Sequence, residues 1–250
     1  MSQAAGARPH AFDLAGRRVL VTGAAGGIGA AAAQACARLG AEVVLADLAD
    51  CAAAAEAIRA EGGSARPIRL DVGRRAEVEA AVAAIGRVDA LVANAAICPW
   101  DDDWEDADWD AAFERVLRVN LLGALHCARA VLPGMRERRA GRIVMVGSLA
   151  GRSGGLIAGA HYAISKGGLH TLVRWLARRA APFGITVNGV APASVDTPMM
   201  KDRPVDLAAI PLGRMARPEE VGWPIAFLCS DAASYVCGAV LDVNGGVLMA

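Results

Sequence analysis

A tyrosine and a lysine stand four residues apart, at Tyr162 and Lys166, in a stretch whose pattern predicts a helix over 161–181. On a helix this spacing places both side chains on one face. A phenol that exchanges protons near neutrality needs a pKa near 7 instead of about 10, a difference of about 4 kcal/mol. A neighbouring ammonium group stabilises the phenolate and so has the required sign. The pair therefore predicts a general acid/base for proton exchange with an alcohol or a carbonyl.

Two further observations give this pair a context. Lys166 is one of only two lysines among 26 basic residues, and the other is Lys201. Ser148 ends a predicted strand upstream of Tyr162, where its hydroxyl could hold a substrate oxygen by a hydrogen bond.

A glycine-rich turn, Thr22-Gly23-Ala24-Ala25-Gly26-Gly27-Ile28-Gly29, follows the first predicted strand and opens the first predicted helix. Glycines allow the backbone to turn tightly and to approach a pyrophosphate. The helix N-terminus adds free N–H groups and a partial positive charge. This stretch predicts a dinucleotide-binding loop.

Asp47 closes the second predicted strand, where a carboxylate can accept hydrogen bonds from both hydroxyls of an adenosine ribose. It would repel a 2′-phosphate, since like charges about 4 Å apart interact by about 1 kcal/mol in water and by more when partly buried. Ala24, Ala25 and Leu48 offer no positive partner for such a phosphate. We therefore expect the cofactor to be NAD and not NADP. Its oxidised nicotinamide ring should act together with the Lys166 ammonium in stabilising the Tyr162 phenolate.

Alternating elements must position these groups. Apolar strands are predicted at 18–23, 41–47, 66–71, 88–94, 142–148, 185–190 and 240–243. Helices are predicted at 28–39, 52–60, 76–85, 109–138, 161–181 and 218–229. This alternation predicts an α/β fold with a seven-stranded parallel sheet and helices on both faces. Residues 1–12 read as a loose tail and residues 13–250 as one domain.

Composition excludes several function classes. The 26 basic and 26 acidic residues cancel, which argues against a nucleic-acid partner. No apolar run reaches the roughly 20 residues that span a bilayer, so no membrane association is expected. The six cysteines have no metal-ligand spacing, and we expect free thiols, no metal and a cytoplasmic location. His126 and His170 are expected to be structural or to lie at subunit contacts.

The chain resembles the short-chain dehydrogenase/reductase family over about residues 14–247. The motifs that carry the resemblance are Thr22-Gly23-x-x-x-Gly27-Ile28-Gly29, Asp71-Val72, Asn94-Ala95, Asn120, Ser148 with Tyr162 and Lys166, Val187-Asn188-x-Val190-x-Pro192, and Thr197-Pro198-Met199. Small residues depart from the family pattern at Ala93, Ala96 and Ala193, and none of these changes removes a catalytic group.

The resemblance implies a single doubly wound domain of the Rossmann type and an oxidoreductase that interconverts a secondary alcohol and a ketone. It implies that Tyr162 is the acid/base, that Lys166 lowers its pKa and binds the nicotinamide ribose, and that Ser148 orients the substrate. Asn120 would support a water-linked proton relay. The implied cofactor contacts are Gly23, Ala25, Gly27, Ile28, Gly29, Asp47, Leu48, Asp71, Val72, Asn94, Ala95, Tyr162, Lys166, Pro192, Val195 and Thr197.

The substrate is expected to be a small or medium carbonyl compound or secondary alcohol in a mostly apolar pocket. The expected pocket residues are Ile97, Trp100, Ser148, Leu149, Gly155, Leu156, Ala193 and Met199, under a short lid at about 199–210. A 3-oxoacyl-thioester reductase is one alternative, and a non-catalytic NAD-binding scaffold or sensor is another. The family commonly forms homotetramers, and the segments 121–132 and 239–249 are suited to that contact.

Overall fold

The computed structural model describes residues 10–100 and 104–249. Residues 1–9 of the predicted tail therefore lie outside the described residues. The strands are β1 (Arg18–Thr22), β2 (Glu42–Asp47), β3 (Ser64–Arg69), β4 (Ala90–Ala93), β5 (Gly141–Val146), β6 (Ile185–Pro192) and β7 (Val240–Val243). The α-helices are α1 (Gly27–Arg38), α2 (Ala52–Ala60), α3 (Arg75–Ile85), α4 (Trp109–Leu117), α5 (Gly123–Arg138), α6 (Ala150–Ser153), α7 (Ala160–Ala180) and α8 (Pro218–Cys229).

All seven strands form one parallel sheet in the order β3-β2-β1-β4-β5-β6-β7. This confirms the predicted fold class. The strand order reverses direction between β1 and β4, and ligands of such sheets bind in the crevice at this switch point, outside the carboxyl ends of the strands.

The sheet separates two apolar cores. Val19 and Val21 of β1 belong to the layer with α1 and α8, while Leu20 between them belongs to the layer with α5 and α7. Successive strand residues point to opposite faces, which explains this division. Because both faces are covered there, the central strands such as β1 and β4 are buried along nearly their whole length and are mostly apolar.

β3 lies two residues earlier than predicted, at Ser64–Arg69 instead of 66–71. It is an edge strand that pairs only with β2 in the described sheet, and an edge tolerates Pro67 because the missing N–H breaks no ladder. Leu70, which the prediction placed inside the strand, and Val72 are buried although they follow it.

The predicted helix over 109–138 is interrupted by a π-helical segment, Arg118–Leu122, between α4 and α5. By length and composition alone this helical stretch could also cross a membrane. Its Cys127, Val131 and Met135 are buried in the core beside the sheet, which identifies it as a packed core helix. Single π turns inside α-helices occur frequently at functional sites.

Candidate active site

A cavity of about 680 Å³ opens at the carboxyl ends of the strands, beside the switch point between β1 and β4. It is lined by most of the residues expected to bind cofactor or substrate. These are Gly23, Ala25, Gly27, Ile28, Asp47, Leu48, Asp71, Val72, Asn94, Ala95, Ile97, Trp100, Ser148, Leu149, Leu156, Tyr162, Lys166, Pro192, Ala193, Val195, Thr197 and Met199. One cavity therefore joins the glycine-rich loop to the tyrosine and the lysine.

The glycine-rich loop runs from β1 into α1 under tight packing. Gly23 has φ +66°, and a Cβ there would lie 2.7 Å from the Cα of Ala95. A Cβ at Gly29 would overlap the carbonyl oxygen of Gly23, so Gly29 serves close packing and does not line the cavity. Gly26, the N-cap of the twelve-residue α1, lines the cavity, and no side chain caps the helix. Unsatisfied N–H groups at such an end suit an anion such as a pyrophosphate.

Hydrogen bonds fix this loop to the neighbouring strand end. The hydroxyl of Thr22 accepts from the backbone N–H groups of Asn94 and Ala95, at 3.1 and 3.2 Å. The side-chain amide of Asn94 donates to the carbonyl oxygens of Thr22 and Gly23, at 3.1 and 2.9 Å. Thr22 and Asn94 thus hold the ends of β1 and β4 in register at the cavity floor.

Asp47 lies at the end of β2, half-buried, with its carboxylate held by backbone donors. One carboxylate oxygen accepts from the Ala25 N–H of the glycine-rich loop and the other from the Ala49 N–H, each at 3.0 Å. This places a fixed negative charge at the cavity wall. Among the described lining residues Lys166 is the single basic one.

Ser148, Tyr162 and Lys166 meet where the segment after β5 faces α7. A side-chain hydrogen bond joins the Ser148 hydroxyl and the Tyr162 oxygen. Lys166, which is 2% exposed, donates from Nζ to the Val146 carbonyl oxygen at 2.8 Å, and its Nζ lies 5.5 Å from the centroid of the Tyr162 ring. The helical spacing of the tyrosine and the lysine thus brings both to one wall of the cavity.

In the protein without a cofactor, the pKa of Tyr162 lies above its ordinary value and therefore farther from neutrality. Burial raises the pKa of Tyr162, a Cys98 thiolate would raise it further, and the hydrogen bond with Ser148 lowers it. Burial also lowers the pKa of Lys166 to about 8. Desolvation disfavours both charged forms. The lowering of the Tyr162 pKa by Lys166 together with an oxidised nicotinamide ring therefore stays a prediction for the protein with its cofactor bound.

Asn120 is buried in the π-helical segment and is not part of the cavity lining. Its side-chain amide donates to the Ile97 carbonyl oxygen at 2.9 Å and to the Ser165 hydroxyl at 3.1 Å, and its Oδ1 accepts from the Ile97 N–H at 2.8 Å. The side chain therefore braces the cavity-lining loop after β4 against α7. Its part in a proton relay stays a prediction.

Gly155 is a correction to the expected substrate pocket. It does not line the cavity, and a Cβ there would lie 2.6 Å from the Ala158 carbonyl oxygen. The residue instead shapes the turn that carries Leu156 and Ile157 to the cavity.

The cavity also has walls that the predicted contact residues do not include, some of them in the predicted lid at 199–210 or in the predicted glycine-rich loop. They are Gly26, Leu70, Ala96, Cys98, Val119, Val146, Gly147, Ala150, Ser153, Ile157, Ala158, Ser194, Pro198, Met200, Pro204, Val205, Asp206, Ala209, Ile210 and Val247. Most adjoin predicted residues along the chain, and adjacency was the available signal. Val247 had no such signal, because only the fold brings the C-terminal segment here.

The segment at 199–210 borders the cavity as a short loop with 3₁₀ turns at Pro198–Met200 and Leu207–Ala209. The guanidinium of Arg203 lies 5.1 Å from the centroid of the Trp100 ring, which connects this segment to the loop after β4. Asp206 adds a carboxylate to the lining and also caps the second 3₁₀ turn through the Ala208 N–H. In the described ranges no cluster of three or more His, Cys, Asp or Glu could hold a metal ion.

Comparisons with known proteins place this site in a family. The family model described as enoyl-(acyl carrier protein) reductase matches residues 23–248. Cis-4-hydroxycyclohexanecarboxylate dehydrogenase of Sinomonas cyclohexanicum is 43% identical over 240 residues, covering 92% of this chain and 96% of the relative.

Two solved structures resemble the chain closely. One is assigned as an NAD(P)-dependent gluconate 5-dehydrogenase of Beutenbergia cavernae and holds NADP at low occupancy; its TM-score is 0.89, at 38% identity over 95% of this chain and 99% of that chain. The other, a 3-oxoacyl-[acyl-carrier protein] reductase of Brucella melitensis with bound NAD, has a TM-score of 0.89 at 34% identity, over 100% of this chain and 99% of that chain.

The sheet order, the cavity at its switch point and these similarities over nearly the whole chain agree with the motifs that first suggested the family. The chain belongs to the short-chain dehydrogenase/reductase family and is an oxidoreductase of alcohols and ketones.

Proposed function

We propose that this chain is an NAD-preferring oxidoreductase that interconverts a secondary alcohol and a ketone, with Tyr162 as the general acid/base. The observation that carries the proposal is the single cavity shared by the glycine-rich loop, Asp47 and the Ser148–Tyr162–Lys166 cluster. A nicotinamide cofactor bound there supplies the hydride acceptor or donor. The open helix end and the glycine backbone fit its pyrophosphate.

The chain's own groups then perform the proton transfer. The Tyr162 phenol gives its proton to the forming alcohol in reduction, and the phenolate takes it back in oxidation. Ser148 holds the substrate oxygen within reach of that phenol. Lys166 is buried with its ammonium directed to the end of β5, where it also favours the phenolate by its charge.

The preference for NAD rests on Asp47, and an isosteric variant tests it. Asp47→Asn removes the charge and should raise the NADP-to-NAD ratio of kcat/KM at least about tenfold, because like charges about 4 Å apart interact by about 1–4 kcal/mol between bulk water and a protein surface. The measurement is kcat/KM for both cofactors with one substrate.

Asp50→Asn is the matched control. Asp50 is exposed, accepts a hydrogen bond from the Ala52 N–H at 2.8 Å and does not line the cavity. It should leave the cofactor ratio unchanged. A ratio for Asp47→Asn within twofold of the wild-type ratio would contradict the assigned preference.

The substrate we propose is an uncharged, small to medium secondary alcohol or ketone. The substrate side of the cavity carries apolar groups such as Ile97, Leu149 and Met199, and its lid adds the Asp206 carboxylate. The Asp206 carboxylate disfavours anionic substrates, and Lys166 is the one basic residue among the described lining residues.

A hydride-transfer screen over secondary alcohols and ketones, with NAD(H) and NADP(H) in parallel, tests this proposal. Neutral cyclic and acyclic substrates should turn over, followed at the absorbance of the reduced nicotinamide. Turnover confined to carboxylate substrates would overturn the proposed substrate class and leave the reaction class intact.

A 3-oxoacyl-thioester reductase is the second candidate, favoured by the 34% identity to the Brucella protein of that name. Comparing an acyl-thioester with a simple ketone of equal chain length in the same screen separates the two. A non-catalytic NAD-binding scaffold is disfavoured by the assembled Ser148, Tyr162 and Lys166 cluster.

We further propose a cytoplasmic homotetramer. None of the six cysteines, all of which lie in the described ranges, forms a disulfide, which suits a reducing compartment. The segments 121–132 and 239–249 expose large apolar side chains at Leu122 and Met249, which suits contacts between copies.

A further inference from the structure

His161 lies directly before Tyr162 in the first turn of α7 and is 1% exposed. The backbone N–H of Tyr162 donates a hydrogen bond to Nδ1 of His161 at 2.6 Å. His161 is not among the described residues that line the cavity. The imidazole therefore contacts the proposed acid/base from outside the cavity, through the backbone of the tyrosine.

The start of α7 gives this hydrogen bond a physical reason. The first four N–H groups of an α-helix have no acceptor in the helix itself. A serine, threonine, aspartate or asparagine at the N-cap usually accepts from the second or third helical residue. The N-cap of α7 is Gly159, which has no side chain, and Tyr162 is the third helical residue. His161 thus supplies the acceptor that the N-cap residue cannot supply.

Neighbouring residues hold the imidazole in this orientation. A Cβ at Gly159 would lie 2.8 Å from Cε1 of His161, so the glycine makes room for the ring. The indole of Trp109, the first residue of α4, stacks on the imidazole with the ring centroids 6.1 Å apart and the planes 10° from parallel. Offset parallel rings are favourable at this distance. The ring is therefore fixed with Nδ1 toward the backbone of α7.

The carbonyl side of Tyr162 is held as well. Ser165, which is fully buried, donates from Oγ to the Tyr162 carbonyl oxygen at 2.7 Å and accepts from the Asn120 side-chain amide at 3.1 Å. Through these contacts one side chain on each side ties the Tyr162 backbone to the helical stretch that begins at Trp109 and contains Asn120. Both contacts restrict the point from which the phenol extends toward Ser148.

We propose that His161 is a positioning residue for Tyr162, which acts by accepting the Tyr162 N–H and so fixes the first turn of α7 and the place of the phenol. This inference rests on the proposed role of Tyr162 in the proton transfer. A displacement of about 1 Å can lower a rate by about 100-fold, so a backbone contact outside the cavity can control kcat.

Two variants of the same branched shape separate the acceptor from the ring. His161→Asn keeps an acceptor oxygen near the place of Nδ1, whereas His161→Leu has none, and both remove the stacked ring. We expect His161→Leu to lower kcat at least about tenfold, with KM for NAD and for substrate changed by less than about twofold, because the phenol is displaced and the cofactor site is not. His161→Asn should restore kcat to within about threefold of the wild type, because it restores the acceptor.

His10→Leu is the matched control. His10 also accepts a backbone N–H at Nδ1, from Phe12 at 3.3 Å, but it is exposed and does not line the cavity. This variant should retain wild-type kcat.

Steady-state kinetics and thermal unfolding together decide the result. Equal losses of kcat in His161→Leu and His161→Asn would overturn the proposal in favour of ring packing. A lower melting temperature of His161→Leu at unchanged kcat would overturn it in favour of a purely structural role. If His161→Leu does not fold, a folded His161→Asn with nearly wild-type kcat supports the proposal, while a large loss there, or failure of both variants to fold, overturns it.

Wild type and Tyr162→Phe are measured alongside. Absence of hydride transfer in the wild type, or full activity in Tyr162→Phe, would refute the proposed function itself. A wild type that depends on Tyr162 together with a His161→Leu variant of unchanged kcat would refute only the role of His161.

Discussion

Tyr162→Phe is expected to lower kcat by about 10²–10⁴-fold, the usual contribution of a positioned general acid or base. The variant removes one oxygen from a half-buried ring and leaves the aromatic packing, so the fold and NAD binding should persist. Steady-state kinetics in both directions, with NAD binding followed by fluorescence, measure the effect.

The pKa of Tyr162 predicts how the rates of the two directions change with pH. Burial raises the pKa of Tyr162, so the phenol stays protonated through neutrality in the protein alone. Ketone reduction uses that protonated form, whereas alcohol oxidation uses the phenolate and should accelerate as the pH rises. This rise should be missing from the residual activity of Tyr162→Phe. An unchanged kcat in Tyr162→Phe would instead refute the role of Tyr162 as the general acid/base.

Lys166→Arg is expected to lower kcat at least about 100-fold although the charge is kept, because a planar guanidinium fork cannot replace a compact ammonium. Lys166 is 2% exposed, and α6 packs directly on the α7 backbone at this point. A Cβ at Gly151 would lie 2.6 Å from the Lys166 carbonyl carbon, so the helices have no room to separate around a larger head group.

Lys201→Arg is the matched control, since Lys201 is the other lysine of the chain, is exposed and does not line the cavity. It should retain wild-type kcat. Burial lowers the pKa of Lys166 to about 8, so the wild type loses this charge above that pH. Any change in kcat that arises from this loss of charge should be absent from the residual activity of Lys166→Arg. Near-wild-type kcat in Lys166→Arg would show that positive charge alone suffices.

Local patterns predicted most of the elements because both faces of the sheet are covered. Short apolar runs such as 41–47 and 142–148, which alternate with longer helical stretches, indicate strands buried on both sides. The misplaced strand β3 shows the limit of this reasoning. Leu70 and Val72 are buried by the α3 and α5 layer after the strand has ended, and no local pattern distinguishes that burial from strand burial.

The sequence by itself determined the fold class, the family and the group of residues around Tyr162 and Lys166, because turn chemistry and helical spacing are local properties. Only the tertiary structure decided which groups share a cavity. It placed Asn120 behind the lining, brought Val247 into it and set Trp109 against His161. It also decided the direction of the pKa shift of Tyr162, because that shift depends on burial, and burial arises from contacts between segments distant in the chain.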